Sequence, residues 1–136
     1  MAETKAPAQR PLSPHLQIYS WPITMLMSIA HRATGMALYF GTLLVAWWLT
    51  AASSGPKPYA DVQWFMNTWI GKLILFGYTW ALIHHMLGGI RHLIWDTGRG
   101  FSQQEREGLA LATGVGSVIL TVLLWIVGFF VIGVSR

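Results

Sequence analysis

Long apolar stretches separated by short polar segments dominate this sequence. Three of them reach the roughly 20 residues that a helix needs to cross a bilayer, and they cover residues 28–52, 67–95 and 109–134. The last stretch has no charged residue. We therefore predict an all-α integral membrane protein with three transmembrane helices, an N-terminal segment at 1–27 and an inner loop at 96–108.

Basic residues are divided unequally between the two ends of these helices. The end with the N-terminus and the second loop carries Lys5, Arg10, Arg32, Arg91, Arg99 and Arg106, and the other end carries Lys57, Lys72 and Arg136. Because cytoplasmic loops are enriched in lysine and arginine, we predict that the N-terminus lies inside. Tryptophans collect at membrane interfaces, so we expect an outer belt at Trp47, Trp48, Trp64 and Trp69 and an inner one at Trp21 and Trp95.

The N-terminal segment has no apolar core of the kind found in a secretory signal peptide. It is also short and poor in arginine for a mitochondrial transit peptide. These features favour a bacterial inner membrane over a mitochondrial one.

Composition excludes several kinds of chemistry. The chain has no cysteine, which rules out disulfides, thiolate catalysis, iron–sulfur ligation and cysteine-attached haem. Only 10% of its residues are charged, well below the share in a soluble domain. Its net charge of +4 comes from single basic residues rather than a basic run, so we expect no nucleic-acid binding.

The inner half of the second span is unusually polar for a membrane helix. At 100° per residue, one stripe of that helix carries His85, Gly89, His92 and Asp96. A neighbouring stripe carries His84, Gly88, Arg91 and Trp95. Ionisable groups in such a helix are expected to face the bundle interior or a cavity. The two glycines would let another helix or a flat ligand approach closely.

A b-type haem would suit this pattern. His85 lies about 16 Å along the helix from Asp96, near mid-membrane, and Arg91 and His92 lie about 10 Å nearer the inner surface. A mid-depth imidazole could bind the iron, and the two basic residues could pair with the propionates. Other interpretations stay open on the residues alone: interhelical hydrogen bonding by the histidines, helix packing by the glycines, and helix-end charges at Arg91 and Asp96.

A second axial ligand is not available within the chain. His84 is adjacent to His85 and cannot reach the opposite face of the same haem, His15 precedes the helices, and His31 lies about 10 Å from the depth of His85. We therefore expect a partner subunit to supply that ligand. Three helices also leave the polar stripe without a full bundle around it.

The entrance to the first span holds another polar cluster. Ser28 and Arg32 share a helix face at i and i+4, and His31 lies beside them. Ser28 could donate to a ligand carbonyl, Arg32 could stabilise an oxyanion, and His31 could relay a proton. Alternatively, Ser28 caps the helix and Arg32 anchors it to lipid phosphates.

Three segments together resemble a known family. They are "RPLSPHLQIY" at 10–19, "SIAHRATG" at 28–35 and "HMLGGIRHLIWDTG" at 85–98. The chain resembles the cytochrome b membrane subunits of succinate dehydrogenase, or complex II, along its whole length.

The resemblance implies specific roles for these residues. His85 matches the axial haem ligand, and the other ligand comes from a second hydrophobic anchor subunit. Ser28 and Arg32 match residues of the ubiquinone site, and His31, Arg32 and His92 match positions near the haem propionates. His84 has no such counterpart.

The resemblance also implies a division of labour within a complex. The chain would not be an enzyme on its own. Succinate would be oxidised in a flavoprotein subunit, and electrons would pass through an iron–sulfur subunit to ubiquinone. Three alternatives remain at this point: a cytochrome b anchor of another dehydrogenase, a histidine-lined ion or proton channel, and a purely structural anchor.

Overall fold

The computed structural model describes residues 20–133. These residues form four helices, α1 (Ile23–Ser54), α2 (Pro56–Asn67), α3 (Trp69–Asp96) and α4 (Gln103–Gly133), and no strand. The motif at 10–19, with Arg10 and His15, lies outside the described residues, as do Lys5 and Arg136.

Helices α1, α3 and α4 are each long and apolar enough to cross a membrane. The predicted all-α membrane fold with three spanning helices is therefore confirmed. At 1.5 Å per residue, the 32 residues of α1 extend for about 48 Å. This exceeds the roughly 30 Å of a hydrocarbon core, so the helix reaches the interface.

Helix α2 occupies the segment between the first two predicted spans, to which the sequence pattern assigned no element. It begins after Gly55, whose φ of 119° breaks α1, and it has a proline in its first turn. Its single buried residue is Val62, and the Phe65 ring lies 5.5 Å from the Trp47 ring on α1. Twelve residues are too few to span a bilayer, so the pattern of long apolar stretches does not predict this helix.

Helix α3 packs against each of the other three. Its buried residues include Gly71, Ala81, His84, Gly88 and Arg91, and those of α4 are Ala110, Thr113, Ser117 and Thr121. Most of these side chains are small, which lets the helix backbones approach closely, as is usual in membrane bundles.

The hydroxyl groups buried on α4 are satisfied within their own helix. Thr113 donates to the carbonyl of Leu109 at 2.8 Å, and Thr121 donates to that of Ser117 at 2.7 Å. The hydroxyl of Ser117 bonds to the carbonyl of Gly114 in the same way. These polar side chains therefore need no partner on a neighbouring helix.

A tight turn of six residues, 97–102, joins α3 to α4. Gly98 and Gly100 adopt positive φ angles of 77° and 81°, a region that side chains rarely enter. At the end of the turn, the backbone N–H of Ser102 donates to the carboxylate of Glu105, and the backbone N–H of Glu105 donates to the hydroxyl oxygen of Ser102. This reciprocal pair is a capping box that starts α4. This turn fixes the C-terminal end of α3.

Candidate functional site

The imidazoles of His31 and His85 stack on each other between α1 and α3. Their ring centroids are 4.1 Å apart and their planes differ by 8°. The expectation that His31 lies about 10 Å from the depth of His85 is therefore wrong, because it came from helix rise along separate helices and not from how α1 packs against α3. The Nδ1 atom of His85 lies 3.2 Å from the backbone carbonyl oxygen of His31. Because a carbonyl oxygen only accepts, this nitrogen carries the hydrogen, and Nε2 keeps its lone pair. His85 is therefore held in the tautomer that binds metal through Nε2.

Two glycines make room for this pair of rings. A Cβ atom at Gly35 would lie 3.1 Å from Cε1 of His85, and one at Gly88 would overlap the ring of His31. Gly88 therefore serves the packing of α1 on α3. A Cβ at Gly89 would meet nothing within 4 Å, so this glycine faces open space.

The two polar stripes of α3 are buried to different degrees. His84 and Arg91 are only 1% and 4% exposed, so the second stripe faces the interior of the bundle. His85 is half-buried, and His92 and Asp96 are exposed. The expectation that ionisable groups face the interior of the bundle therefore holds for the stripe that carries Arg91. For the stripe that carries His85 it holds only in part within this chain.

A cavity of about 280 Å³ lies at the N-terminal end of α1 and the C-terminal end of α3. The predicted orientation places this cavity on the inner side of the membrane, so we call it the inner cavity. It is lined by Thr24, Ser28, His31, Arg32, Arg91, His92 and Trp95. The structure thus gathers every predicted site residue except His85 around one space. The cavity has two guanidinium groups in its wall, and within the part of the chain that the structure describes no acidic side chain lines it.

Ser28 and Arg32 are joined by a hydrogen bond. The guanidinium of Arg32 donates to the hydroxyl oxygen of Ser28 at 3.2 Å, as their i and i+4 spacing predicts. The alternative in which Ser28 caps the helix is wrong, because α1 begins at Ile23 and its N-cap is Pro22. Ser28 accepts this bond through an oxygen lone pair, so the contact with Arg32 does not use its own O–H.

Two cavity residues were not predicted as site residues. Trp95 was assigned to the inner tryptophan belt, but it is half-buried and turns its ring toward the cavity. The signal was its spacing of four residues from Arg91, which places both on one stripe. Thr24 precedes Ser28 by one turn and carried no distinctive signal.

His84 lies outside this cavity. Neither of its ring nitrogens has a hydrogen-bond partner among residues 20–133, and the ring lies 5.4 Å from that of Trp80. The two adjacent histidines thus differ sharply in environment: His85 is oriented by a carbonyl, and His84 is enclosed without a polar partner.

No group of three or more histidine or acidic residues in the described part of the chain could hold a bare metal ion. A haem iron has different needs, because the macrocycle supplies four nitrogens and the protein adds axial ligands. A single imidazole fixed by a carbonyl, with basic groups toward one membrane surface, fits that requirement.

Residues 6–128 match the sequence profile of the family described as succinate dehydrogenase/fumarate reductase transmembrane subunit. The chain belongs to this family. The resemblance predicted from the sequence is confirmed. As a transmembrane subunit of succinate dehydrogenase/fumarate reductase, the chain is a multi-pass membrane protein and not the catalytic subunit.

Named relatives of this transmembrane subunit come from bacteria and mitochondria. The chain is 46% identical over 120 residues to the succinate dehydrogenase cytochrome b556 subunit of Paracoccus denitrificans, covering 88% of this chain and 92% of the relative. Identity to the Rickettsia felis subunit of the same name is 41% over 118 residues, with 87% and 92% covered. The mitochondrial cytochrome b560 subunit of Sus scrofa is 38% identical over 120 residues, with 85% and 68% covered.

Proposed function

We propose that this chain is the cytochrome b anchor of a succinate:ubiquinone oxidoreductase. In this proposal it holds a b haem through His85 and contributes Ser28 and Arg32 to the ubiquinone site. The observation that carries the proposal is the hydrogen bond between His85 Nδ1 and the carbonyl oxygen of His31. The family membership of the chain supports it as well.

The orientation of His85 supports its role as a haem ligand. Ligating histidines usually donate their second ring N–H to a carbonyl or carboxylate, which fixes the ring and makes the ligating nitrogen more basic. The ring is half-buried rather than enclosed, so a partner helix and a haem could approach it. The haem, when bound, supplies a one-electron redox centre.

The basic wall of the inner cavity suits the haem propionates. We assign His31, Arg32, Arg91 and His92 to this role, because all four line the cavity. Their N–H groups could make charge-assisted hydrogen bonds with carboxylates. A wall with two guanidiniums and no acidic side chain favours anionic groups.

Ubiquinone would bind at the Ser28 side of the same cavity. The O–H of Ser28, which its bond with Arg32 does not use, could donate to a quinone carbonyl. Arg32, anchored on Ser28, could direct its remaining N–H groups at the oxygen that becomes negative on reduction. At about 280 Å³ the cavity lies at the small end for a ligand site. We therefore assign the rest of the quinone pocket to partner subunits.

Partners follow from what the chain cannot supply. His31 stacks on the face of the His85 ring and His84 points elsewhere, so a second anchor subunit would provide the other axial ligand. The absence of cysteine assigns the iron–sulfur clusters to another subunit, and succinate oxidation to a flavoprotein subunit. We place the assembly in a bacterial inner membrane, with the N-terminus inside.

An optical spectrum of the purified complex tests this proposal. The tagged chain is purified in mild detergent with its partners, and a dithionite-reduced minus oxidised spectrum is recorded. We expect a sharp b-type α-band that is lost in His85→Ala and kept in the adjacent control His84→Leu. A folded complex without haem, or an α-band that survives His85→Ala, would overturn the assignment.

A further inference from the structure

We propose that Trp95 is a positioning residue that holds the guanidinium of Arg91 at the wall of the inner cavity. The inference rests on the proposed function, because it assumes that Arg91 acts on an anionic group bound there. It adds a residue for which no role was predicted beyond interfacial anchoring.

Arg91 needs a fixed environment because its charge is almost completely enclosed. Only 4% of its surface is exposed, and its Nε atom has no hydrogen-bond partner among the described residues. Its Cζ atom lies 5.2 Å from the centre of the Trp95 ring, a distance at which the aromatic quadrupole attracts a cation. Tryptophan is the best aromatic partner for such a contact.

Trp95 is itself held in place by the turn between α3 and α4. Its indole N–H donates to the carbonyl of Gly100 at 3.0 Å, and the Phe101 ring stacks at 6.4 Å. A Cβ atom at Gly100 would lie 3.2 Å from Cδ1 of Trp95, so the glycine allows this close fit. The turn therefore fixes Trp95, and Trp95 fixes Arg91.

Removal of the ring would release Arg91. A long cationic side chain near the end of a membrane helix extends toward the water interface when nothing retains it. The cavity would then lose one of its two positive charges. Positive charge beside the propionates favours the reduced haem, so we expect release of Arg91 to lower the haem reduction potential.

Arg91 also lines the cavity in which the quinone would bind beside Ser28 and Arg32, so its release should weaken quinone binding as well. A cation–π contact worth about 1 kcal/mol corresponds to about a fivefold change in an equilibrium constant. For Trp95→Leu we therefore expect the KM for a short-chain ubiquinone to rise roughly three- to tenfold, with little change in kcat. Trp95→Phe, which keeps an aromatic face but loses the bond to Gly100, should shift both quantities less.

The test uses the purified four-subunit complex. Haem potential is measured by redox titration, and quinone KM and kcat are measured with succinate as donor. Trp64→Leu is the matched control, because Trp64 is 72% exposed on α2. Succinate oxidation with an artificial dye acceptor monitors the catalytic subunits in the same samples.

An Arg91→Gln background separates positioning from packing. If Trp95 acts through Arg91, neither Trp95→Leu nor Trp95→Phe should shift the potential or KM further once Arg91 is Gln. Equal shifts in both backgrounds would overturn the proposal, as would a Trp95→Leu complex indistinguishable from Trp64→Leu. If the Trp95→Leu complex fails to assemble, the double-mutant cycle of Trp95→Phe and Arg91→Gln decides whether Trp95 acts through Arg91.

Failure of the proposed function would look different. A wild-type complex that lacks haem and does not reduce quinone overturns the cytochrome assignment itself. Normal wild-type behaviour with no response to changes at Trp95 overturns only this inference.

Discussion

The backbone carbonyl of His31 accepts a hydrogen bond from the imidazole of His85, 54 residues further along the chain. This contact ties the candidate haem ligand on α3 to the helix that carries the candidate quinone residues. Because Ser28 and Arg32 lie on the same turns of α1 as His31, a shift of α1 would disturb both sites together. Haem binding at His85 and quinone binding at Ser28 and Arg32 therefore both depend on the position of α1.

Replacement of His84 by leucine should leave the haem in place and keep or increase stability. His84 is buried with both ring nitrogens unpartnered among the described residues, and an apolar side chain of similar size avoids that desolvation cost, about 1–3 kcal/mol. The measurement is the thermal unfolding midpoint of the complex, followed by the haem α-band. A clear loss of stability in His84→Leu would show that a partner subunit satisfies this ring.

Gly88→Ala should disrupt the packing of α1 on α3. The new methyl group would overlap the His31 ring, and overpacking of this kind costs about 1–3 kcal/mol. Because His31 orients His85, we expect lower haem content as well as a lower unfolding midpoint. Gly108→Ala is the control, since a Cβ there meets nothing within 4 Å. Equal behaviour of the two variants would contradict the close contact.

Ser28→Ala should impair quinone reduction without loss of haem. Loss of one donor to a quinone oxygen is expected to lower kcat/KM about tenfold, and Arg32→Lys should lower it about 100-fold. Steady-state assays with succinate and ubiquinone measure both effects. Ser53→Ala is the control on α1, because this exposed hydroxyl lies at the other end of the helix from Ser28 and donates to the carbonyl of Thr50. Unchanged kcat/KM in Ser28→Ala would remove Ser28 from the quinone site.

The predicted orientation can be tested directly because the chain has no cysteine. Single cysteines are introduced at Arg99 in the turn after α3 and at Lys57 in α2, and a membrane-impermeant maleimide is applied. We expect Lys57→Cys to react in right-side-out spheroplasts and Arg99→Cys to react only in inverted vesicles. The reverse pattern would place the N-terminus outside.

Hydropathy was sufficient to predict the three spanning helices, because each needs a long apolar run. It did not predict α2, in which Lys57 and Asp61 interrupt a segment too short to span. Helical periodicity placed Arg91 and Trp95 on one stripe and His85 and His92 on another. It could not tell which stripe is buried, because apolar residues surround a membrane helix on every side.

The burial and hydrogen-bond partners of individual side chains were the features that the sequence predicted least well. His84 and His85 are adjacent residues of the same type, so the sequence does not distinguish them. In the structure, His85 donates to the carbonyl of His31, whereas neighbouring helices enclose His84. Trp95 was assigned to the interface by residue type, yet the turn at Gly100 holds its ring against Arg91. The difference between the two histidines depends on a contact between segments 54 residues apart, which local patterns do not encode.

The buried hydroxyl groups of α4 donate to carbonyls of their own helix, and this affects how the helices can assemble in the membrane. Thr113, Ser117 and Thr121 complete their hydrogen bonds as soon as their own helix forms. Helices α3 and α4 can therefore meet without first finding polar partners, and only six residues separate them. Together they form a helical hairpin that can pack as one unit, and α1 completes the site by packing against both of its helices.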